Sequence, residues 1–274
     1  MINSELLPPH LSFKRQGQQG FTLIELAVVL FLVTLVLGGV MMPLATRVEQ
    51  EGRQKTEAQL EEIKEALLGY AIVNGHLPCP DCPDDTAGVN CGAGTAVSND
   101  GIEDGTDNPP TTGISPRSTV TDDFEFCAVQ VGNLPWATLG VDQFDAWGRP
   151  FVYGVTGTFA DNTAGTGCGT ATAGVSFELC SVGGATIRDA GATNVLASNI
   201  PVVVYSYGAN GEDFGGVTPP TSADELENWW TDAVDGNFIY ADYNQTAANE
   251  FDDLFIWISP ATLMYKMVHA ERLP

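Results

Sequence analysis

One apolar run near the N-terminus constrains this chain more than any other feature. Residues 21–42 read FTLIELAVVLFLVTLVLGGVMM, with a single carboxylate, Glu25, inside the run. A helix of about 20 such residues crosses the roughly 30 Å hydrocarbon core of a bilayer. Lys14 and Arg15 precede the run and no basic cluster follows it directly. The positive-inside rule therefore places residues 1–20 in the cytoplasm and the bulk of the chain outside. A secretory signal has a shorter apolar region directly behind its charges and a small-residue cleavage site after it. Here the polar step Gln16-Gly17-Gln18-Gln19-Gly20 lies between charges and run. Glu25 is costly in hydrocarbon and is a functional candidate by default. The plainer alternative is a carboxylate near the helix end that reaches the headgroups.

The helical pattern continues past the apolar run. Residues 47–74, RVEQEGRQKTEAQLEEIKEALLGYAIVN, are rich in strong helix formers. Leu60, Ile63, Leu67, Tyr70 and Ala71 recur at spacings of three and four and make an apolar stripe. Glu61, Lys64 and Glu65 fall on the solvated side, and Asn74-Gly75 is a stop signal. One helix over residues 21–74 is expected, about 80 Å long at about 1.5 Å per residue. Gly38-Gly39 and Pro43 should weaken or kink it. The expected organisation is residues 1–20 ahead of the span, a membrane helix at 21–43, its extramembrane half at 44–74, and a globular extracytoplasmic head at 75–274.

The chain carries Lys+Arg 11 against Asp+Glu 35, a net charge of -24. Such a surface repels phosphate backbones and anionic headgroups, so no nucleic-acid partner is expected. Six cysteines, Cys79, Cys82, Cys91, Cys127, Cys168 and Cys180, lie in loop-like sequence. An even count outside the cytoplasm points to disulfides. Six cysteines allow about 15 pairings. Loop proximity favours Cys79–Cys127, Cys82–Cys91 and Cys168–Cys180. The alternative for Cys79-Pro-Asp-Cys82 is half of a zinc site, but no second CxxC follows and His76 is the only histidine close by.

The head reads as loops and strands. Residues 76–123 are irregular and rich in Gly, Pro, Asp and Asn, the chemistry of turns. Strands are expected from Phe151-Val152-Tyr153 and at 174–179, 201–207, 237–243 and 254–259. Cys168 and Cys180 should flank a hairpin. Ser222-Ala223-Asp224-Glu225 is a capping-box pattern and should open a short helix through Trp229 and Trp230. Ser259-Pro260 supplies an N-cap and a first-turn proline for a terminal helix over 262–273. The expected class is α+β: one long helix packed on an antiparallel sheet, with a loop-rich, disulfide-containing head.

Gly20-Phe21-Thr22-Leu23-Ile24-Glu25-Leu26 resembles the leader junction of type IV prepilins and type II secretion pseudopilins. The resemblance joins a basic leader, Gly, Phe, a fifth-position Glu and a long apolar helix. It implies a type IV pilin-like fold and cleavage after Gly20 by the prepilin peptidase/methyltransferase, with N-methylation of Phe21. It also implies that Glu25 pairs with the terminal amine of a neighbouring subunit during assembly. Physics is compatible with that role, because breaking a buried ion pair costs on the order of 3–5 kcal/mol. The implied partners are other pilin or pseudopilin subunits, an inner-membrane assembly platform, and the lipid bilayer before assembly. Asp145-Ala146-Trp147-Gly148-Arg149-Pro150-Phe151-Val152-Tyr153 is similar to the D-P-W-G-x-P-[YF]-x-Y element of pseudopilins, with Ala146 departing from the usual Pro.

Residues 207–213, YGANGED, followed by Asp224, Glu225 and Asn228, resemble the calcium loop of major pseudopilins, interrupted here by Val217-Thr218-Pro219-Pro220. That resemblance implies Asp213 and Asp224 as ligands of Ca2+, a cation that takes hard oxygen donors. A second acidic loop, Asn99-Asp100-Gly101 with Glu103, Asp104 and Asp107, lacks EF-hand spacing and reads as a solvated turn. No G-x-S-x-G, H-E-x-x-H or phosphate-binding glycine loop is present, so no enzyme is expected. The rival class is a membrane-anchored extracytoplasmic binding protein or enzyme. Within the assembly class, a bulky head favours a minor subunit over a repeated one, since large heads crowd a helical filament.

Overall fold

The computed structural model describes residues 22–83, 99–106, 126–127, 129–160, 172–211, 219–229, 235–246 and 249–274; the side chains of 37–46, 105, 106 and 126 lie outside that description. Gly20, Phe21, Cys91, Cys168, Trp230 and Asp213 also lie outside it. The chain divides into two units, Met1–Val48 and Glu49–Pro274.

Helix α1 runs Leu23–Asn74. It continues through Gly38, Gly39 and Pro43, so the weakening expected there does not end it. A proline costs one backbone hydrogen bond, which a helix continued on both sides can absorb. In the first unit the large apolar side chains from Leu23 to Val36 are exposed. Among the described residues no helix is long and apolar enough to cross a membrane. Within the span expected at 21–43, the described side chains stop at Val36. α1 ends where Asn74-Gly75 predicts: Gly75 takes a left-handed φ of 83° and its N–H donates to the Ala71 carbonyl at 2.8 Å.

In the second unit a four-stranded antiparallel sheet forms the middle layer. Its strands are β3 (Val131–Asn133), β4 (Val152–Val155), β7 (Val202–Ser206) and β9 (Leu254–Ile258), in the order β3-β4-β7-β9. Val152 faces Tyr205, and Val204 faces Ile256 across the ladder. One face carries Tyr153, Val155, Val202, Val204 and Ile256 and packs on Leu60, Ile63, Leu67 and Ala71 of α1. These are the residues of the stripe read from the sequence, with Tyr70 only half-buried. The other face carries Val152, Val203, Tyr205 and Phe255 and packs on a second sheet. A sheet covered on both faces needs near-continuous apolar strands, and β7 is buried at every position.

The second sheet has the order β6-β5-β8, from β5 (Ala185–Arg188), β6 (Val195–Ile200) and β8 (Asn237–Ile239). β5 pairs with β8 in parallel, so the head is not purely antiparallel. A small ladder joins β1 (Gly105–Thr106) to β2 (Phe126–Cys127), and Cys127 is disulfide-bonded to Cys79 with Cα atoms 5.2 Å apart. Cys82 and Cys180 are also disulfide-bonded.

Short helices complete the head: α2 (Trp136–Leu139), α3 (Gly157–Ala160), α4 (Ala223–Glu227) and α5 (Pro260–His269). Ser259 caps α5 as expected, its Oγ accepting from the Thr262 N–H at 3.2 Å. Other expectations are corrected. The segment at 174–179 is turn and coil rather than a strand, and the rest of the hairpin expected between Cys168 and Cys180 lies outside the described residues. Ser222 precedes α4 without a side-chain capping bond. α4 ends at Glu227, before Trp229, because the Asn228 side chain is drawn to β8 instead. The overall class is the α+β expected, a long helix packed on an antiparallel sheet.

Candidate functional site

Two places carry chemistry. The first is the start of α1. Thr22 donates to Glu25 Oε2 from both its backbone N–H and its hydroxyl, each at 3.1 Å. The Glu25 N–H donates back to Thr22 Oγ1 at 3.3 Å. This is a reciprocal capping box, which satisfies amides a helix N-terminus otherwise leaves unpaired. Thr22-Leu23-Ile24-Glu25 carries the pattern for it. Glu25 therefore has a local structural role that the apolar context of the sequence hid.

The second place lies where β7 and the start of β9 meet α4. β7 runs into Tyr207 and a turn over 208–210. Gly208 sits at φ 66°, and a Cβ there would come within 2.6 Å of the Asp252 carboxylate. Only glycine fits both the backbone and that approach. The Asp145–Arg149 segment holds this turn. Asp145 Oδ1 accepts the Trp147 and Arg149 N–H groups, and its Oδ2 accepts the Ser206 hydroxyl at 2.6 Å. The Arg149 guanidinium then donates to the Gly208 and Ala209 carbonyls. The D-A-W-G-R element thus acts as a bracket for the turn, beyond starting β4.

Around the turn three buried carboxylates converge: Glu225 of α4, and Asp252 and Asp253 ahead of β9. They are 4 %, 5 % and 4 % exposed, and one oxygen of each lies within 4.8 Å of the others. Glu225 Oε1 accepts the Asp252 N–H at 3.1 Å. Asp252 Oδ2 accepts the Asn210 N–H at 3.0 Å, while its buried Oδ1 has no hydrogen-bond partner. Asp253 Oδ2 accepts Asn228 Nδ2 at 2.7 Å. Asn228 also bonds both backbone groups of Ile239, and Tyr205 donates to its carbonyl, which fixes α4 to β8.

Burial disfavours the charged form of all three carboxyls. It pushes Glu225 up to about 7, raises Asp252, and holds Asp253 well above the ordinary carboxylate range. A cavity of about 200 Å³ adjoins the cluster, lined by Tyr207, Pro220, Trp229 and Glu250 as well as Glu225 and Asp253. Another, of about 220 Å³, meets it at Asn210 and Glu250 and is lined by Glu49, Tyr243 and Asp252.

The sequence-derived metal pair does not sit here. Asp224 is next to Glu225 but its Oδ1 accepts the Gly191 N–H at 2.8 Å, and it is not part of the cluster. Asp213 lies outside the described residues. Asp252 and Asp253 were missed because they open what reads as a strand. The usable signal was two adjacent carboxylates inside the apolar stretch at 251–258, FDDLFIWI. All-oxygen donors in this number suit calcium rather than zinc, so the residues present fit the ion that the sequence resemblance implies.

The family model for the prokaryotic N-terminal methylation motif matches residues 15–41, consistent with a prepilin- or pseudopilin-type protein. No curated protein and no solved structure matches the chain. The matched segment includes Gly20, Phe21 and Glu25, so the chain carries a prepilin-type N-terminal segment.

Proposed function

We propose that this chain is a structural subunit of a type IV pilus or a type II secretion pseudopilus, trimmed after Gly20 and assembled through α1. The observation that carries the reading is the methylation motif over residues 15–41, leading into a helix that begins at Leu23 and packs its later turns under the head. In this reading the prepilin peptidase cleaves before Phe21 and methylates its amine. Residues 21–43 anchor the subunit in the inner membrane with the head outside, until it passes into a filament. Glu25 then meets the terminal amine of a neighbour, exchanging some of its bonds to Thr22 for an ion pair. The head at 75–274 favours a minor, low-copy subunit. The role is structural rather than catalytic.

A second reading, an anchored extracytoplasmic binding protein that never enters a filament, has the acidic cavity beside Trp229 in its favour. Glu25→Ala separates the two. In the native host this variant should insert in the membrane normally and fall at least tenfold in sheared filament material. Normal incorporation of Glu25→Ala would contradict the pairing, and absence of the parent protein from any filament would favour the second reading.

A further inference from the structure

We infer that Asn244 is an acceptor for N-linked glycosylation, taking an oligosaccharide from a polyisoprenyl pyrophosphate carrier on the extracytoplasmic side of the membrane. Asn244-Gln245-Thr246 fits the N-x-[ST] acceptor pattern, with no proline at its centre. No other asparagine of the chain has Ser or Thr two places on. The segment lies between β8 and β9, where Asp242, Tyr243, Gln245 and Thr246 are exposed and Asn244 is half-buried. A bulky, solvated sugar needs a surface loop of this kind.

The loop holds the acceptor in a defined turn. Asn244 Oδ1 accepts the Thr246 N–H at 3.0 Å, an Asx-turn that sets the acceptor amide and Thr246 on one bend. Asn244 and Phe251 exchange both backbone hydrogen bonds, at 2.9 and 2.8 Å, which closes the base of the loop. Asn244 Nδ2 donates to the Asn249 carbonyl at 2.8 Å. A side-chain amide nitrogen carries two hydrogens, so that bond uses one and leaves the other for replacement. The glycosylated amide keeps one N–H and with it a donor for Asn249. Asp242, exposed two residues ahead of the acceptor, adds a carboxylate that a cationic enzyme groove can hold.

In the transfer, the bond between the sugar's anomeric carbon and the pyrophosphate oxygen breaks, and its electron pair leaves with the pyrophosphate. The anomeric carbon bonds to Nδ2, and the Nδ2 proton passes to a base of the transferase. Nothing is oxidised or reduced. An amide lone pair is delocalised into its carbonyl, so the nitrogen is a weak nucleophile and needs an enzyme that reads the Thr246 hydroxyl beside it. The attached sugar stands next to the place where Tyr243 and Gln245 bond to Glu49 of α1. The inference rests on the head lying outside the membrane, as in the proposed function, and not on assembly into a filament.

The test takes the full chain from the native host and cleaves it after Glu227 and Glu250, which releases one peptide over residues 228–250. Mass spectrometry should find that peptide heavier by one oligosaccharide, with fragmentation placing the sugar on Asn244. Asn244→Gln and Thr246→Val should each lose the added mass, and Thr246→Ser should keep it. Thr246→Val leaves Asn244 itself in place, so its loss reads the acceptor pattern rather than the side chain that carries the sugar. An unmodified peptide in the parent overturns the inference. So does a sugar that persists in Asn244→Gln, which would put it on a hydroxyl. The N-terminal peptide of the same digest separates this inference from the proposed function. Methylated Phe21 with a bare Asn244 overturns the glycan alone, whereas an uncleaved N-terminus with a glycosylated Asn244 upholds the glycan and contradicts the processing.

Discussion

The Glu225 carboxylate accepts the backbone N–H of Asp252 at 3.1 Å, across 27 residues of sequence. That bond ties a five-residue helix to the start of β9, an edge strand of the four-stranded sheet. It also brings three acidic side chains into one buried space. Helix α4 is too short to hold its place by its own hydrogen bonds. It is kept there by Asn228, by Glu225, and by Trp229 against Tyr207 with ring centroids 5.4 Å apart.

Arg149 should be the most sensitive residue of the bracket around the turn. Its guanidinium spans the Gly208 and Ala209 carbonyls, and hydrogen bonds from a charged donor contribute about 1.5–3 kcal/mol. Arg149→Ala is expected to cost about 2 kcal/mol in urea denaturation. Arg149→Lys should recover less than half of it, because an ammonium cannot span two carbonyls as a planar fork does. An unchanged midpoint in Arg149→Ala would show that the turn is held by Asp145 and Ser206 alone.

Asp81 predicts a pH dependence. Its carboxylate is buried, accepts the Asn99 and Gly101 N–H groups, and lies near Asp104 and Asp100. Burial pushes it up to about 8 from an ordinary 3.8. Between roughly pH 4 and pH 8 the folded chain then holds a proton that the unfolded chain has released. Stability therefore falls as pH rises through that window, by up to about 1.4 kcal/mol per pH unit from this group, and levels above it. Asp81→Asn should flatten that slope in denaturation curves recorded from pH 4 to 8. A slope equal to the parent's would assign the dependence to other carboxyls.

The Cys79–Cys127 bridge closes a loop of 48 residues. In the chain-entropy account, a loop of that length contributes about 4 kcal/mol by restricting the unfolded state. The double variant Cys79→Ala/Cys127→Ala should therefore melt well below the parent under oxidising conditions. Its melting temperature should not fall further when reductant is added, so far as this bridge is concerned. A double variant that melts with the parent would mean the β1–β2 ladder is held without it.

Sequence patterns exposed local features and hid long-range ones. The Leu60–Ala71 stripe, the Asn74-Gly75 stop and the Ser259-Pro260 cap are written in contiguous residues, and the structure contains all three. β7 and β9 were visible as apolar runs. Of the second sheet only β8 was visible, within the strand expected at 237–243; β5 and β6 were not, because Ala185–Arg188 is short, Val195–Ile200 is mostly exposed, and the parallel β5–β8 pairing spans distant sequence. The sequence reading singled out Asp224, whereas the structure gathers its neighbour Glu225 with Asp252 and Asp253. Adjacent residues on a helix turn by about 100° from one another, and only the three-dimensional approach of Asp252 selects between them. Thr22 was overlooked for a simpler reason: Glu25 was weighed against the membrane and not against its own helix terminus.

The central claim concerns the N-terminus, and one measurement bears on it directly. Mass spectrometry of the N-terminal peptide, from both sheared surface material and membranes of the native host, reads processing and destination together. The account predicts a chain that begins at N-methylated Phe21, present in filament material or, for a short pseudopilus, confined to membranes. A folded population that keeps its residues 1–20, with Phe21 uncleaved and unmethylated, would contradict it.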